Sequence, residues 1–238
     1  MMAQVSIHQV TLCFAAHDPV GLARFWGGVL GRKVVDDGHD GIALVPEDDT
    51  ELQIRFLPTL EEKRGPNQAH FDLTSASEQE MDARIARALE LGGAHIDVGQ
   101  RPEEGHAVLA DPEGNELCVI PPGNGFLSDT GTIGALSSDG TQAVGYFWAE
   151  ALGWPLVWDQ DEETAIQSPR GGTKVTWGGP PVAPKWGRNR MHLDLYATGA
   201  DDVDRLVALG ASRLGSAASG RVPMADPDGN ELCVVLPA

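Results

Sequence analysis

The residues with chemistry in them come in two matching sets. His70 and Asp72 stand two apart in His-Phe-Asp-Leu, and Glu116 and Cys118 stand two apart in Asn-Glu-Leu-Cys-Val. His192 with Asp194, and Glu231 with Cys233, repeat both patterns further along the chain. On a β-strand a spacing of two puts both side chains on one face, and Phe71, Leu73, Leu117 and Val119 then share the other. If the two strands belong to one sheet, an imidazole and a carboxylate meet on the face turned away from the core. That pair is a ligand set for Fe, Mn, Ni or Zn. It is equally a base with its orienting partner, which makes Glu116 and Glu231 the candidate catalytic groups. The plainer alternative is a polar strand end at His70 and a turn-flanking residue at Glu116.

The sets match because the chain is duplicated. Ala110–Ile120 reads ADPEGNELCVI and Ala225–Val235 reads ADPDGNELCVV, identical at all but two conservative positions. Phe25-Trp26 and Phe147-Trp148, Lys63 and Lys185, Asn67 and Asn189, and the two His-x-Asp-Leu segments all stand 122 residues apart. The closing phrase is 115 apart, so the second copy has lost residues between its His and its Asp-Pro. Such self-similarity sets the domain plan before any other feature does. We expect two tandem domains, 1–122 and 131–238, joined by a linker at 123–130.

Each copy has the size of an ordinary domain with its own core. The formal charge of −18 argues against nucleic acid or an anionic membrane surface as partner, since both reward Lys and Arg. The three cysteines form no disulfide or CxxC pattern, which fits reduced thiols in a cytosol. The first residues lack the basic start and apolar run of a signal peptide, and no apolar stretch approaches a membrane span. Phosphate loops, HExxH, GxSxG and dinucleotide fingerprints are absent.

The elements that must position the sets read as βαβββ, four times. In the first copy strands are expected at 5–14, 33–36, 42–46, 51–57, 69–73, 95–98, 106–110 and 116–120. Asp18, Pro19 and Gly31 bracket a helix at 19–30 whose Leu22, Phe25, Trp26, Val29 and Leu30 share a face. Ser77 and Glu80 form a capping-box pattern before a second helix at 78–91. In the second copy strands are expected at 132–136, 156–158, 164–167, 174–177, 191–196, 213–215, 221–225 and 231–236. Its helices fall at 141–152 and 201–209.

Paired βαβββ modules, a helix ending Phe-Trp-x-x-x-Leu-Gly, a His-x-Asp-Leu strand and a closing Asp-Pro-x-Gly-Asn-Glu-Leu turn and strand resemble the vicinal oxygen chelate superfamily. Glyoxalase I, extradiol dioxygenases and bleomycin-resistance proteins belong to it, and Asp18–Trp26 is most like its glyoxalase-like branch. The resemblance implies an α+β fold in which each half curls its two modules into an incomplete barrel around a cavity. It implies a divalent metal held by a first-strand residue, the His of the fifth strand and the Glu of the eighth. That set is His70 and Glu116 in one copy, His192 and Glu231 in the other. The first-strand place falls on Thr11 and near Thr132, where Thr is a poor ligand; Gln9 shares the face of Thr11, and His8 does not. The resemblance also covers a branch that binds small molecules with no metal.

Other residues bear on the ligand. Gln53 and Arg55 share a face of the fourth strand and align with Val175 and Trp177, so the two cavities should differ, the second suiting an aromatic ligand. Trp177 at a domain contact is the alternative. Asp72, Asp194, Cys118 and Cys233 should face the cavities, the cysteines as nucleophiles or as small buried residues. Lys63 and Lys185 either shape an entrance for an anion or are solvated, and His17, His39, His95 and His106 read as surface. Two functions fit the sequence: a metal-dependent lyase, isomerase or dioxygenase, or a metal-free protein that binds or sequesters a small molecule. A chain carrying both copies can act as a monomer or as a homodimer.

Overall fold

The computed structural model of the protein describes residues 7–38, 41–48 and 50–237. His39, Asp49, and the start of the expected first strand at Val5 and Ser6 lie outside the described residues. Four βαβββ modules follow one another. The first is β1 (Gln9–Ala16), α1 (Pro19–Leu30), β2 (Lys33–Asp36), β3 (Ile42–Val45) and β4 (Gln53–Pro58). The second is β5 (Ala69–Leu73), α2 (Glu78–Glu90), β6 (Ala94–His95), β7 (Ala107–Ala110) and β8 (Glu116–Val119). The third is β9 (Ile133–Ser138), α3 (Gln142–Leu152), β10 (Leu156–Gln160), β11 (Glu163–Gln167) and β12 (Lys174–Trp177). The fourth is β13 (Met191–Tyr196), α4 (Asp201–Leu209), β14 (Ser212–Arg213), β15 (Arg221–Ala225) and β16 (Glu231–Val235).

Local chemistry explains the ends of these elements. The Asp18 carboxylate accepts from the Gly21 amide at the start of α1, and Gly31 closes the helix at φ 72°, where a side chain would be strained. Ser77 caps α2 through the Glu80 amide, and Glu80 reaches back to the Ala76 amide. The strand expected at 95–98 is cut to two residues. Val98 and Gly99 give their amides to the side chains of Gln100 and Asp97, a turn that competes with the ladder.

The α+β fold of two tandem copies is as the sequence implies, but the partner of each module is not. One eight-stranded sheet runs β14-β15-β16-β13-β1-β4-β3-β2, and the other runs β10-β11-β12-β9-β5-β8-β7-β6. The first module therefore joins the fourth through β1 and β13, antiparallel, and the second joins the third through β5 and β9. The expectation that each half closes on itself is corrected by this strand order. β5 and β13 are copies of one strand, so β1 can pair with either, and the chain uses the distant one.

Both sheets turn their apolar faces inward onto the helices. Trp26 of α1 is fully buried and packs edge-on against Phe71 of one sheet while also meeting Phe14 of the other. Its indole N–H donates to Asp111 at 3.1 Å, and Trp148 repeats the bond with Asp226 at 3.1 Å. This shared core leaves each sheet with one open face, and the polar residues of the His-x-Asp and Glu-x-Cys segments lie there.

Candidate functional site

The strand register decides which residues share the open faces. Opposite His192 stands Cys13, opposite Cys13 stands Arg55, and opposite Asp194 stand Thr11 and Cys233. In the other sheet Ser137 faces His70, Thr176 faces Ser137, and Ala135 and Cys118 face Asp72. Thr11 thus corresponds to Ala135, not to Thr132, whose carbonyl instead accepts from the Thr74 amide. Arg55 corresponds to Thr176, not to Trp177. Trp177 lies one step off, on the helix-bearing face, stacked on Trp148 and 3% exposed, with an edge on a cavity.

The two glutamates are tied down in the same way. Glu116 takes Lys63 at 2.7 Å on one oxygen and the Asn67 amide at 3.2 Å on the other. Glu231 takes the same two partners on a single oxygen, Lys185 at 2.8 Å and the Asn189 amide at 3.2 Å. The amide side chains of Asn67 and Asn189 then bond Asn115 and Asn230, which pins the loop before each His strand to the closing turn. Lys63 and Lys185, read as loop residues, are therefore the counter-ions of the expected metal carboxylates. Their exact repetition alongside Asn67 and Asn189 was the available signal.

The carboxylates that meet the histidines are the aspartates. His70 lies 3.4 Å from Asp72, and His192 lies 3.4 Å from Asp194. Among the described residues, ligand atoms gather within 4.8 Å in two groups, His70–Asp72–Cys118 and Cys13–His192–Asp194, and neither includes a glutamate. The two groups differ in their neighbours. Asp194 is fully buried, and Arg221 Nη2 holds both its oxygens at 2.7 Å. Burial would raise its pKa, but the hydrogen bonds from His192 and Arg221 outweigh that and lower it. Cys13 is pushed well up, first by burial and then by the charge of Asp194, so its thiol stays protonated; burial also raises Cys233. Asp72 has no arginine and bonds the hydroxyl of Ser137 instead.

Burial alone would lower the pKa of His70, but hydrogen bonds to Asp72 and Cys118 and the charge of Asp72 raise it to about 10. The folded state therefore binds the proton more tightly than the unfolded chain does. Its stabilising contribution is full below about pH 6.5 and is lost as pH rises through about 10. The side chain remains 35% exposed, so water screens the pair and keeps the contribution small. In thermal unfolding from pH 6 to 10, the advantage of wild type over His70→Gln should shrink steadily; a constant gap would contradict this charge assignment.

Each open face holds a hollow. The one on the sheet of the second and third modules has a volume of about 470 Å³. His70, Ser137 and Thr176 are on its floor, Phe126 and Trp158 on its wall, and Gln68, Asp139 and Glu163 line it as well. Trp158 and Phe126 meet edge to face at 5.8 Å. The hollow of the first and fourth modules has about 380 Å³ and is lined by His192, Glu231 and Cys233 with Arg188 and Arg221. On the same sheet, Gln9 and Thr11 both donate to the Gln53 side chain, at 3.0 and 3.4 Å, and Arg55 is ion-paired with Asp37. Phe126, Ser137, Trp158, Arg188 and Arg221 carry no repeat signal in the sequence, because their counterparts are different residue types.

A metal of the kind the resemblance implies does not fit at the His–Glu positions. Each glutamate already has a lysine as its counter-ion, and the facing first-strand places hold Thr11 and Ala135, a poor donor and no donor. The Cys13–His192–Asp194 group fits no better, with both oxygens on a guanidinium and a protonated thiol. The His70–Asp72–Cys118 group has the nitrogen, oxygen and sulfur donors that zinc accepts.

Duplicated βαβββ modules in two open sheets, each with a His-x-Asp strand beside a Glu-x-Cys strand, define a tandem vicinal oxygen chelate protein. The family model described as the Glyoxalase-like domain matches residues 11–120 and 135–235, and the chain belongs to that family. Among solved structures, maize (Zea mays) glyoxalase I is similar at 14% identity and TM-score 0.66, covering 95% of this chain and 92% of that one. A putative dioxygenase from Bacillus subtilis subsp. subtilis str. 168 is similar at 12% identity and TM-score 0.56, covering 98% and 86%. At such identities the likeness is one of fold. No curated protein matches the sequence. Among the described residues no helix is long and apolar enough to cross a membrane.

Proposed function

We propose that this chain is a small-molecule binding protein that takes a flat organic ligand in the hollow beside His70, with no metal at the His–Glu positions. The observation that carries the reading is the double neutralisation of Glu116 and Glu231 by Lys63 and Lys185. Carboxylates bound this way in both copies serve the loop before each His strand, not an incoming cation. The hollow itself supports an aromatic guest. Phe126 and Trp158 offer ring faces and edges, and Ser137, Thr176 and Gln68 offer polar groups that can orient it. Three free, buried cysteines suit a reducing compartment such as the cytosol. One chain completes both sheets, which supports a monomer; the family copies at 1–122 and 131–238 are then sequence domains whose modules are exchanged.

The test is a titration with a neutral bicyclic aromatic such as 2-naphthol, followed by tryptophan fluorescence. Trp158→Ala removes the wall ring, and since the residue is 37% exposed the fold should survive. Loss of an aromatic anchor of this kind costs on the order of 2 kcal/mol, so affinity should fall more than tenfold. Equal binding by wild type and variant would reject this hollow as the site.

A second reading, metal-dependent lyase, isomerase or dioxygenase chemistry, is favoured by one observation, the gathering of His70, Asp72 and Cys118. Those three residues would hold the ion, which would supply Lewis-acid stabilisation of a developing oxyanion. Elemental analysis after exposure to excess Zn, Ni, Mn or Fe(II) separates the readings. Stoichiometric metal that disappears in His70→Ala favours the enzyme, and no uptake favours the binding protein.

A further inference from the structure

We infer that the hollow of the first and fourth modules is a second site with a different ligand class, the carboxylate of a small aliphatic acid. The two hollows descend from one duplicated design, and charged residues are among those that changed between them. Arg221 stands where the other copy has His106, and Arg188 where it has Pro66. The neighbouring Cys13, opposite His192, is replaced by Ser137 opposite His70. One hollow has gained two guanidinium groups that the other lacks.

The charges within this hollow leave a cation over. Asp194 is held by Arg221 with His192 beside it, and Glu231 is held by Lys185. Arg188 is exposed and has no ion pair or side-chain hydrogen bond among the described residues. Glu61 and Glu62 line the adjoining cleft with it, and neither bonds it. Arg221 spends only Nη2 on Asp194, is 34% exposed, and keeps Nε and Nη1 for another acceptor. A planar guanidinium with spare N–H groups, lining the same hollow as a second one, suits the two oxygens of a carboxylate. An unneutralised cation in a chain of net charge −18 marks a place where an anion is favoured.

The rest of the lining sets the body of the ligand. Leu57, Leu214, Pro223 and Leu232 give an apolar wall, and about 380 Å³ admits only a small molecule. This site does not depend on the aromatic hollow beside His70, and either can fail alone.

The probe is isobutyrate, with isobutylamine as the same shape carrying the opposite charge, titrated by calorimetry and by NMR shifts of the arginine side chains. Isobutyrate should bind the wild-type chain and shift Arg221 Nε, and isobutylamine should do neither. Arg188→Ala removes a side chain with no bonds in the fold, and should weaken isobutyrate about tenfold, as expected for one charge-assisted contact. Arg221→Lys keeps a cation beside Asp194 but removes the fork, and should weaken it by a similar factor in a chain whose circular dichroism is unchanged. Trp158→Ala should leave isobutyrate affinity as it was. Equal binding of the amine, no binding of isobutyrate by wild type, or undiminished binding by Arg188→Ala would each overturn the assignment. Dependence on Trp158 in place of Arg188 would overturn it as well.

Discussion

Expressed alone, residues 1–122 are expected to give no folded monomer. Cutting at the seam leaves β1 without the six partners it has on β13, and β5 without the five it has on β9. Two interior strands would become open edges with apolar residues on one face, a state that seeks another strand. Because β5 and β13 are copies, two such halves can pair β1 of each with β5 of the other and rebuild both sheets. Light scattering should therefore find a homodimer or aggregate. Co-expression with residues 123–238 should give a one-to-one complex with the spectrum of the whole chain. A monodisperse, folded monomer of 1–122 would overturn this expectation and would mean that β1 closes on its own β5 once β13 is gone.

Asp111→Ala should be among the most damaging single changes. The Asp111 carboxylate accepts from the Trp26 indole at 3.1 Å, from the amides of Glu113 and Asn115 at 2.9 Å each, and from the Asn115 side chain. Asp111 and Asn115 are buried, so removing the acceptor leaves several donors with neither protein nor water. At ~1–3 kcal/mol for each orphaned group, with partial relaxation, the loss should be about 4 kcal/mol. Urea unfolding is the measurement. Asp226→Ala breaks the twin bond to Trp148 and should cost a similar amount. A loss below about 1 kcal/mol for both would mean that water replaces the carboxylate in this turn.

Helices were legible to within a residue or two because their ends carry their own chemistry: Asp18 and Gly31, Ser77 and Glu80, Gly153 and Gly210. The open-face pairing of His70 with Asp72 and of His192 with Asp194 followed from strand parity alone. The module exchange was not legible. Every local signal on β1 is satisfied equally by β5 or β13, and only the relative placement of whole modules decides between them. The equivalences of Thr11 and Arg55 slipped because turns around the strands differ in length between the copies, which shifts a strand without altering its residue types. The parity of Glu116 gives its face but not its partner. A lone carboxylate does not reveal whether a lysine from a preceding loop will reach it, and here Lys63 does.

The exchange has a consequence for how the polypeptide comes off the ribosome. β5 and β9 join at Asp72 and Ala135, a modest loop, whereas β1 must wait for a partner at Tyr196 facing Gln9. Contacts so distant in sequence close late, since their ordering entropy comes before any reward. The sheet made from the middle of the message should consolidate while synthesis is still under way. β1 can take β4 on one side early, but its other edge stays open until β13 has been made, and until then that edge is what a chaperone would have to shield.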